Sequence, residues 1–110
     1  PNSFAYGMTK GALGQITRSL SIDLGPKNIR VNAVCAGTIH TPLAENLFQR
    51  VAKENGCTAD DLWKEEDKLY ARGESGYPEE VAEMMYFLAS DASSFCTGGH
   101  YLVDGGLVAR

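Results

Sequence analysis

The sequence is poor in several things, and each shortage excludes a kind of function. Its three cysteines, Cys35, Cys57 and Cys96, are odd in number, far apart and without a Cys-x-x-Cys pair. That usage argues against a disulfide framework or zinc knuckle and fits a reducing cytoplasm. The two histidines, His40 and His100, are also far apart and read as surface or packing residues, so no metal is expected. Ten lysines and arginines stand against fourteen acids, a net charge of −4, with no basic cluster. Neither nucleic acid nor an anionic membrane is therefore an expected partner. No apolar run approaches the ~18 residues of a membrane span. No basic segment leads into an apolar one as a signal peptide would. What is present, 110 residues with 44% hydrophobic side chains, suffices for one small domain with a modest core.

Along the chain, residues 4–24 predict a helix. Leu13, Ile16, Leu20 and Leu24 recur with helical spacing, and Gly25-Pro26 ends the run. Residues 30–35 are short, β-branched and almost uniformly apolar, as expected of a strand buried on both faces, with Cys35 as a small core residue. Thr41-Pro42 reads as a helix start, with Leu43, Leu47 and Val51 on one face and a stop at Asn55-Gly56. Thr58 to Asp61 resembles a capping box that opens a helix running through Tyr70. Residues 72–76 form a loop, Pro78-Glu79-Glu80 starts a last helix, and residues 100–104 form a last strand. Helix, turn and buried strand make half of a parallel βαβ unit. Two strands do not make a stable sheet alone, so the chain is expected to be part of a larger α/β domain.

Tyr6 and Lys10 place a phenol and an ammonium at i and i+4, on one face of a helix. A positive charge beside a phenol favours its ionised form, which makes the pair a candidate general acid/base. The same spacing also suits a surface tyrosine lying along a lysine stem. Gly7, Gly11 and Gly14 are not a phosphate loop, because they lie inside a helical stripe and do not follow a strand. The loop 36–41 (AGTIHT) leaves the C-terminal end of a parallel strand, where open α/β sheets bind ligands. Gly37 permits close backbone approach, Ile39 offers a backbone N–H and C=O, and Thr41 a hydroxyl. A planar carboxamide needs such donors and acceptors. Thr41 is equally suited to capping the following helix.

These residues line up with one family. The chain resembles the C-terminal half of a short-chain dehydrogenase/reductase. The resemblance runs through Tyr6-x-x-x-Lys10, residues 19–26 (SLSIDLGP), residues 29–34 (IRVNAV) and the loop 37–42 (GTIHTP). It continues through residues 78–82 (PEEVA), residues 88–91 (LASD), Thr97-Gly98 and residues 103–106 (VDGG). It implies a doubly wound, Rossmann-like parallel sheet and a hydride transfer between a nicotinamide cofactor, NAD or NADP, and an alcohol or carbonyl substrate. Tyr6 would be the general acid/base, and Lys10 would assist it and hold the nicotinamide ribose. Gly37, Ile39 and Thr41 would hold the carboxamide. Asn32 would be the family's structural asparagine. Residues 42–76 would be a substrate lid, and the complete protein would be a cytoplasmic homo-oligomer, a dimer or homotetramer.

Ala36 departs from the proline the family usually places there. The family's glycine-rich phosphate loop, its Asn-Ala-Gly segment and its catalytic serine belong upstream of the tyrosine, so the N-terminal phosphate-binding half is expected to be absent. The chain alone is then expected to be inactive and poorly folded, with a truncated, non-catalytic subunit-interaction module as the alternative. Leu47, Phe48, Trp63 and Tyr70 in the lid suggest an apolar or ring-shaped substrate, or else pack against the body.

Overall fold

The computed structural model describes residues 3–109. They form four helices and two short strands, in the order α1 (Ser3–Leu24), β1 (Ala33–Ala36), α2 (Pro42–Asn55), α3 (Ala59–Asp67), α4 (Pro78–Ala89) and β2 (His100–Val103). The chain divides into two compact units. Among the described residues, one comprises 3–34 and 84–101, the other 35–83 and 102–109. No described helix is long and apolar enough to cross a membrane.

β1 and β2 pair in a two-stranded sheet. Ala33 N–H donates to Gly99 O (2.9 Å), and Gly37 N–H donates to Val103 O (3.1 Å). Both strands advance four residues in the same sense between these bonds, so the pair is parallel. The expectation of a strand over 30–35, buried on both faces, needs correction in two respects. The ladder starts at Ala33; before it, Val31 N–H donates to the Thr97 hydroxyl (3.1 Å) and not to a strand partner. Asn32 Nδ2 donates to Cys96 O (2.7 Å), and Asn32 Oδ1 accepts from Gly99 N–H (3.1 Å). Arg30 donates to Cys96 O and Ser90 O (3.3 and 3.1 Å). The strand residues, Cys35 among them, are only half-buried or exposed, since β1 has a single hydrogen-bonded neighbour among the described residues.

In the first unit, α1 ends as its sequence demands. Gly25–Lys27 tightens into a 3₁₀ turn, and Asn28 takes a left-handed conformation (φ 58°) with its N–H on Gly25 O. The expected apolar stripe is not the buried face, however. Leu13 and Ile16 remain about half exposed, whereas Thr17 is buried with its hydroxyl on Leu13 O (2.8 Å). At Gly14 the helix comes close to β2: a Cβ there would sit 3.2 Å from the His100 ring.

In the second unit, Thr41 caps α2 by accepting from Ala44 N–H (3.3 Å), and Pro42 occupies the first turn. Gly56 (φ 68°) closes α2. Thr58 and Asp61 form the expected capping box of α3. α3 ends at Asp67, three residues short of the expectation. There the Asp67 carboxylate turns to accept from Ser75 N–H and Oγ–H (2.7 and 2.6 Å). Trp63, Tyr70 and Ala52 form this unit's core.

Candidate functional site

The loop that follows β1 is built by the second unit alone. Gly37 is hydrogen-bonded to Val103, and the space a side chain would need is filled by Tyr70, whose Cε1 lies 2.9 Å from the ideal Cβ position. Tyr70 is 3% exposed. Its hydroxyl accepts from Thr38 N–H (2.8 Å) and donates to Glu66 Oε1 (3.2 Å). Thr38 Oγ1 donates to the same carboxylate oxygen (2.6 Å). One carboxylate and one phenol thus fix the first turn of the loop.

The next stretch is extended. Ile39 and Gly76 form an isolated parallel bridge. Gly76 N–H donates to Thr38 O (3.1 Å), and His40 N–H donates to Gly76 O (2.9 Å). All peptides among the described residues are trans, and in a planar trans peptide the C=O and N–H point in opposite directions. The Thr38 carbonyl and the His40 N–H both face Gly76. The Ile39 N–H and Ile39 carbonyl, on the far sides of those peptides, therefore face away from it. A donor and an acceptor on one residue are directed to the side that does not pair. Thr41 follows, and because its oxygen is the acceptor in the cap, its hydroxyl proton is left to donate elsewhere.

At the C-terminal ends of both strands lies a cavity of about 190 Å³ lined by the loop, Tyr70, Arg72, Glu80 and residues 102–105. Open parallel sheets take ligands at this end. Arg72 pairs with Glu74 (3.0 Å) and with Glu80. The Tyr77 N–H and then Arg72 hold the Glu80 carboxyl below its ordinary value, and Glu80 in turn keeps the guanidinium more firmly protonated.

Tyr6 and Lys10 lie in the first unit, on α1. Tyr6 is 65% exposed, and Lys10 Nζ sits 5.4 Å from the centroid of its ring. The structure thus brings Tyr6 to Lys10, and Gly37 and Thr41 into one loop with Ile39. Of the two expectations for Trp63 and Tyr70, facing a substrate or packing, both side chains follow the second and pack inside their own unit. Glu66, and Glu45, which binds the His40 and Trp63 rings, also support the loop without a signal in the sequence. The i, i+4 spacing of Glu66 and Tyr70 was visible, but nothing local linked it to Thr38.

A family model described as enoyl-(acyl carrier protein) reductase matches residues 1–108. The solved structure of a short-chain dehydrogenase family protein from Francisella tularensis superposes on all of this chain with a TM-score of 0.96 at 46% identity. The chain belongs to the short-chain dehydrogenase/reductase family. Among curated members of that family, 2-keto-3-deoxy-L-fuconate dehydrogenase of Xanthomonas campestris is 40% identical over 96% of this chain. L-sorbose reductase of Gluconobacter frateurii, solved with NADPH and L-sorbose, matches 96% of the chain with a TM-score of 0.88 at 30% identity. The chain spans 34% of the first of these relatives and 46% and 40% of the two solved short-chain dehydrogenase/reductase chains. That share accords with the C-terminal portion expected from the motifs, and the fold is the α/β fold of these proteins.

Proposed function

We propose that the chain carries the proton-transfer pair and the nicotinamide-end loop of an NAD(P)-dependent oxidoreductase acting on an alcohol or carbonyl. The observation that carries this reading is the Ile39 backbone, whose N–H and C=O face away from the Gly76 pairing. A primary carboxamide offers the matching acceptor and donor. When bound, the nicotinamide accepts or gives the hydride. Ile39 N–H would donate to the carboxamide oxygen, Ile39 C=O would accept from its amine, and the Thr41 hydroxyl would donate alongside its capping role. Gly37 serves by keeping the loop against Tyr70. In the oxidative direction, Tyr6 as phenolate takes the hydroxyl proton of the substrate while the hydride leaves its carbon; in reduction the phenol returns that proton to the carbonyl oxygen. Lys10 stabilises the phenolate and would hold the nicotinamide ribose. The carboxamide is common to NAD and NADP, so this loop takes either.

Residues 42–76 are the proposed substrate lid. With Trp63 and Tyr70 committed to the unit's core, Leu43 and Leu47, both exposed, are left to meet an apolar or ring-shaped substrate. The three thiols are free, which suits a cytoplasmic enzyme. The complete protein would be a homo-oligomer. The alternative, a non-catalytic interaction module, is favoured by exposed Phe4, Met8, Met85 and Tyr86 in the first unit. Co-purification with a full-length homologue without turnover would support it.

The test is an amide-resolved titration of the labelled chain. Nicotinamide mononucleotide is expected to shift the Ile39, His40 and Thr41 signals, and ADP-ribose, which has no carboxamide, is not. Equal responses to both, or none to either, would remove the proposed role of the loop.

A further inference from the structure

His40 does more than fill space beside the loop. Its ring lies between two aromatic side chains: Trp63, with centroids 3.8 Å apart and planes 25° apart, and Tyr77, at 4.8 Å and 16°. Phe48 braces the outer partner, with its ring 4.3 Å from that of Trp63. Glu45 binds both central rings. Its Oε1 lies 3.2 Å from His40 Nδ1, and its Oε2 accepts from Trp63 Nε1–H at 3.2 Å. α2, α3 and the turn before α4 therefore converge on one imidazole. That imidazole belongs to the residue whose N–H shares a peptide with the Ile39 carbonyl. Any rotation of the His40 backbone rotates that carbonyl with it.

We propose that the Trp63–His40–Tyr77 stack sets the orientation of the Ile39 peptide groups, which makes His40 a positioning residue for the nicotinamide end of the cofactor. The inference rests on the oxidoreductase reading above for the identity of the ligand, but not for the mechanics. The stack, more than the hydrogen bond to Glu45, carries the effect. Glu45 is 43% exposed and His40 24%, so their pairing is open to water and weak, whereas Trp63 is 8% exposed. Because Glu45, Phe48 and Trp63 all lie within the proposed lid, the substrate-side helices and the cofactor loop form one packed piece. A substitution in either would be felt in the other.

Hydrogen exchange on the full chain tests this. His40→Ala is expected to speed exchange of the His40 and Gly76 amides by about tenfold, as fits the loss of two stacked contacts, while α1 amides keep their rates. His40→Phe restores a flat ring without the Glu45 partner, and should return those amides to within about threefold of the parent. Unchanged exchange in His40→Ala would overturn the proposal. So would a His40→Phe chain as fast as His40→Ala, since the stack would then not be the cause. If His40→Ala loses protection in α1 as well, the chain has unfolded globally, and Trp63→Phe replaces it: that variant should leave the two amides near parental rates, and a tenfold rise would count against the stack. Failure of the oxidoreductase reading looks different. The parent would then show no response of Ile39 to nicotinamide mononucleotide, whatever its exchange rates.

Discussion

The two units differ in how they use their apolar side chains. Among the described residues, the three buried hydrophobic side chains, Ala52, Trp63 and Tyr70, all belong to the second unit. The first unit buries Thr17 and Ser93 and leaves Phe4, Met8, Leu13, Ile16, Ile22, Met85, Tyr86 and Phe95 exposed. The proposed cofactor loop is therefore held by its own unit, through Tyr70, Glu66 and the His40 stack. The proposed proton-transfer pair stands on a helix whose apolar surface is largely unused. One half of the proposed chemistry is locally pre-organised, and the other depends on what covers α1.

The largest test of that contrast is chemical. In an enzyme completed with the N-terminal part of a relative, Tyr6→Phe is expected to lower turnover by about 10²–10⁴-fold, the usual worth of general acid–base catalysis. In the chain by itself, where the ring is 65% exposed, its effect on stability should stay within about 0.5 kcal/mol. A near-parental rate would end the assignment of Tyr6. In the second unit the effect should be mechanical. Gly37→Ala forces a methyl to 2.9 Å from Tyr70 Cε1 and 3.3 Å from Asp104 Cα. It is expected to cost about 1–3 kcal/mol, read from the denaturant midpoint, as overpacking does. An unchanged midpoint would mean that Tyr70 yields easily and the loop is not held as described.

How much of this was legible in the sequence follows the same line. Caps and breakers act through neighbouring residues, so Gly25-Pro26, Thr41-Pro42, the Thr58–Asp61 box and Pro78 marked element ends to within a residue or two. Long-range hydrogen bonds are invisible to such reading. Val31 N–H reaching the Thr97 hydroxyl goes with the later start of β1, and Asp67 reaching Ser75 with the earlier end of α3. Periodicity marked an apolar stripe on α1, but among the described residues Leu13, Ile16 and Leu20 stay exposed while Thr17 is buried. In the loop, Thr41 as the cap of α2 was readable from the Thr41-Pro42 pair. The supports were not, because Tyr70, Glu66, Trp63 and Glu45 are brought to the loop only by the fold.

A smaller effect sharpens the contrast with opposite sign. A Cβ added at Gly7 meets nothing within 4 Å, and Gly7 lies inside α1. Gly7→Ala should therefore stabilise the chain by roughly 0.5–1 kcal/mol through helix propensity alone. If Gly7→Ala and Gly37→Ala shift the midpoint in the same direction, the two units do not differ as argued. A completed enzyme in which Gly7→Ala loses activity while gaining stability would place a close neighbour over this turn of α1.

The smallest effect concerns pH, and here too the units separate. In the second unit, the Ser75 hydroxyl and N–H hold the Asp67 carboxyl below its ordinary value of 3.8. A carboxyl depressed by folding contributes stability that is complete above the unfolded value and is lost as pH falls through the folded one. Asp61 and Glu80, in the same unit, are depressed too, by Thr58 and by Tyr77 with Arg72. In the first unit, a hydrogen bond to Cys96 raises the Tyr101 phenol above its ordinary value of 10.0. An acid raised by folding contributes stability that is complete below the unfolded value and is lost as pH climbs through the folded one. Acid should therefore weaken the second unit and alkali the first. Asp67→Asn is expected to flatten the acid limb of the stability profile below about pH 4 and leave the alkaline limb alone. Tyr101→Phe should flatten the alkaline limb only. Amide exchange resolved by residue assigns each limb to its unit, and a variant that altered the other unit's limb would show that the two titrate as one body.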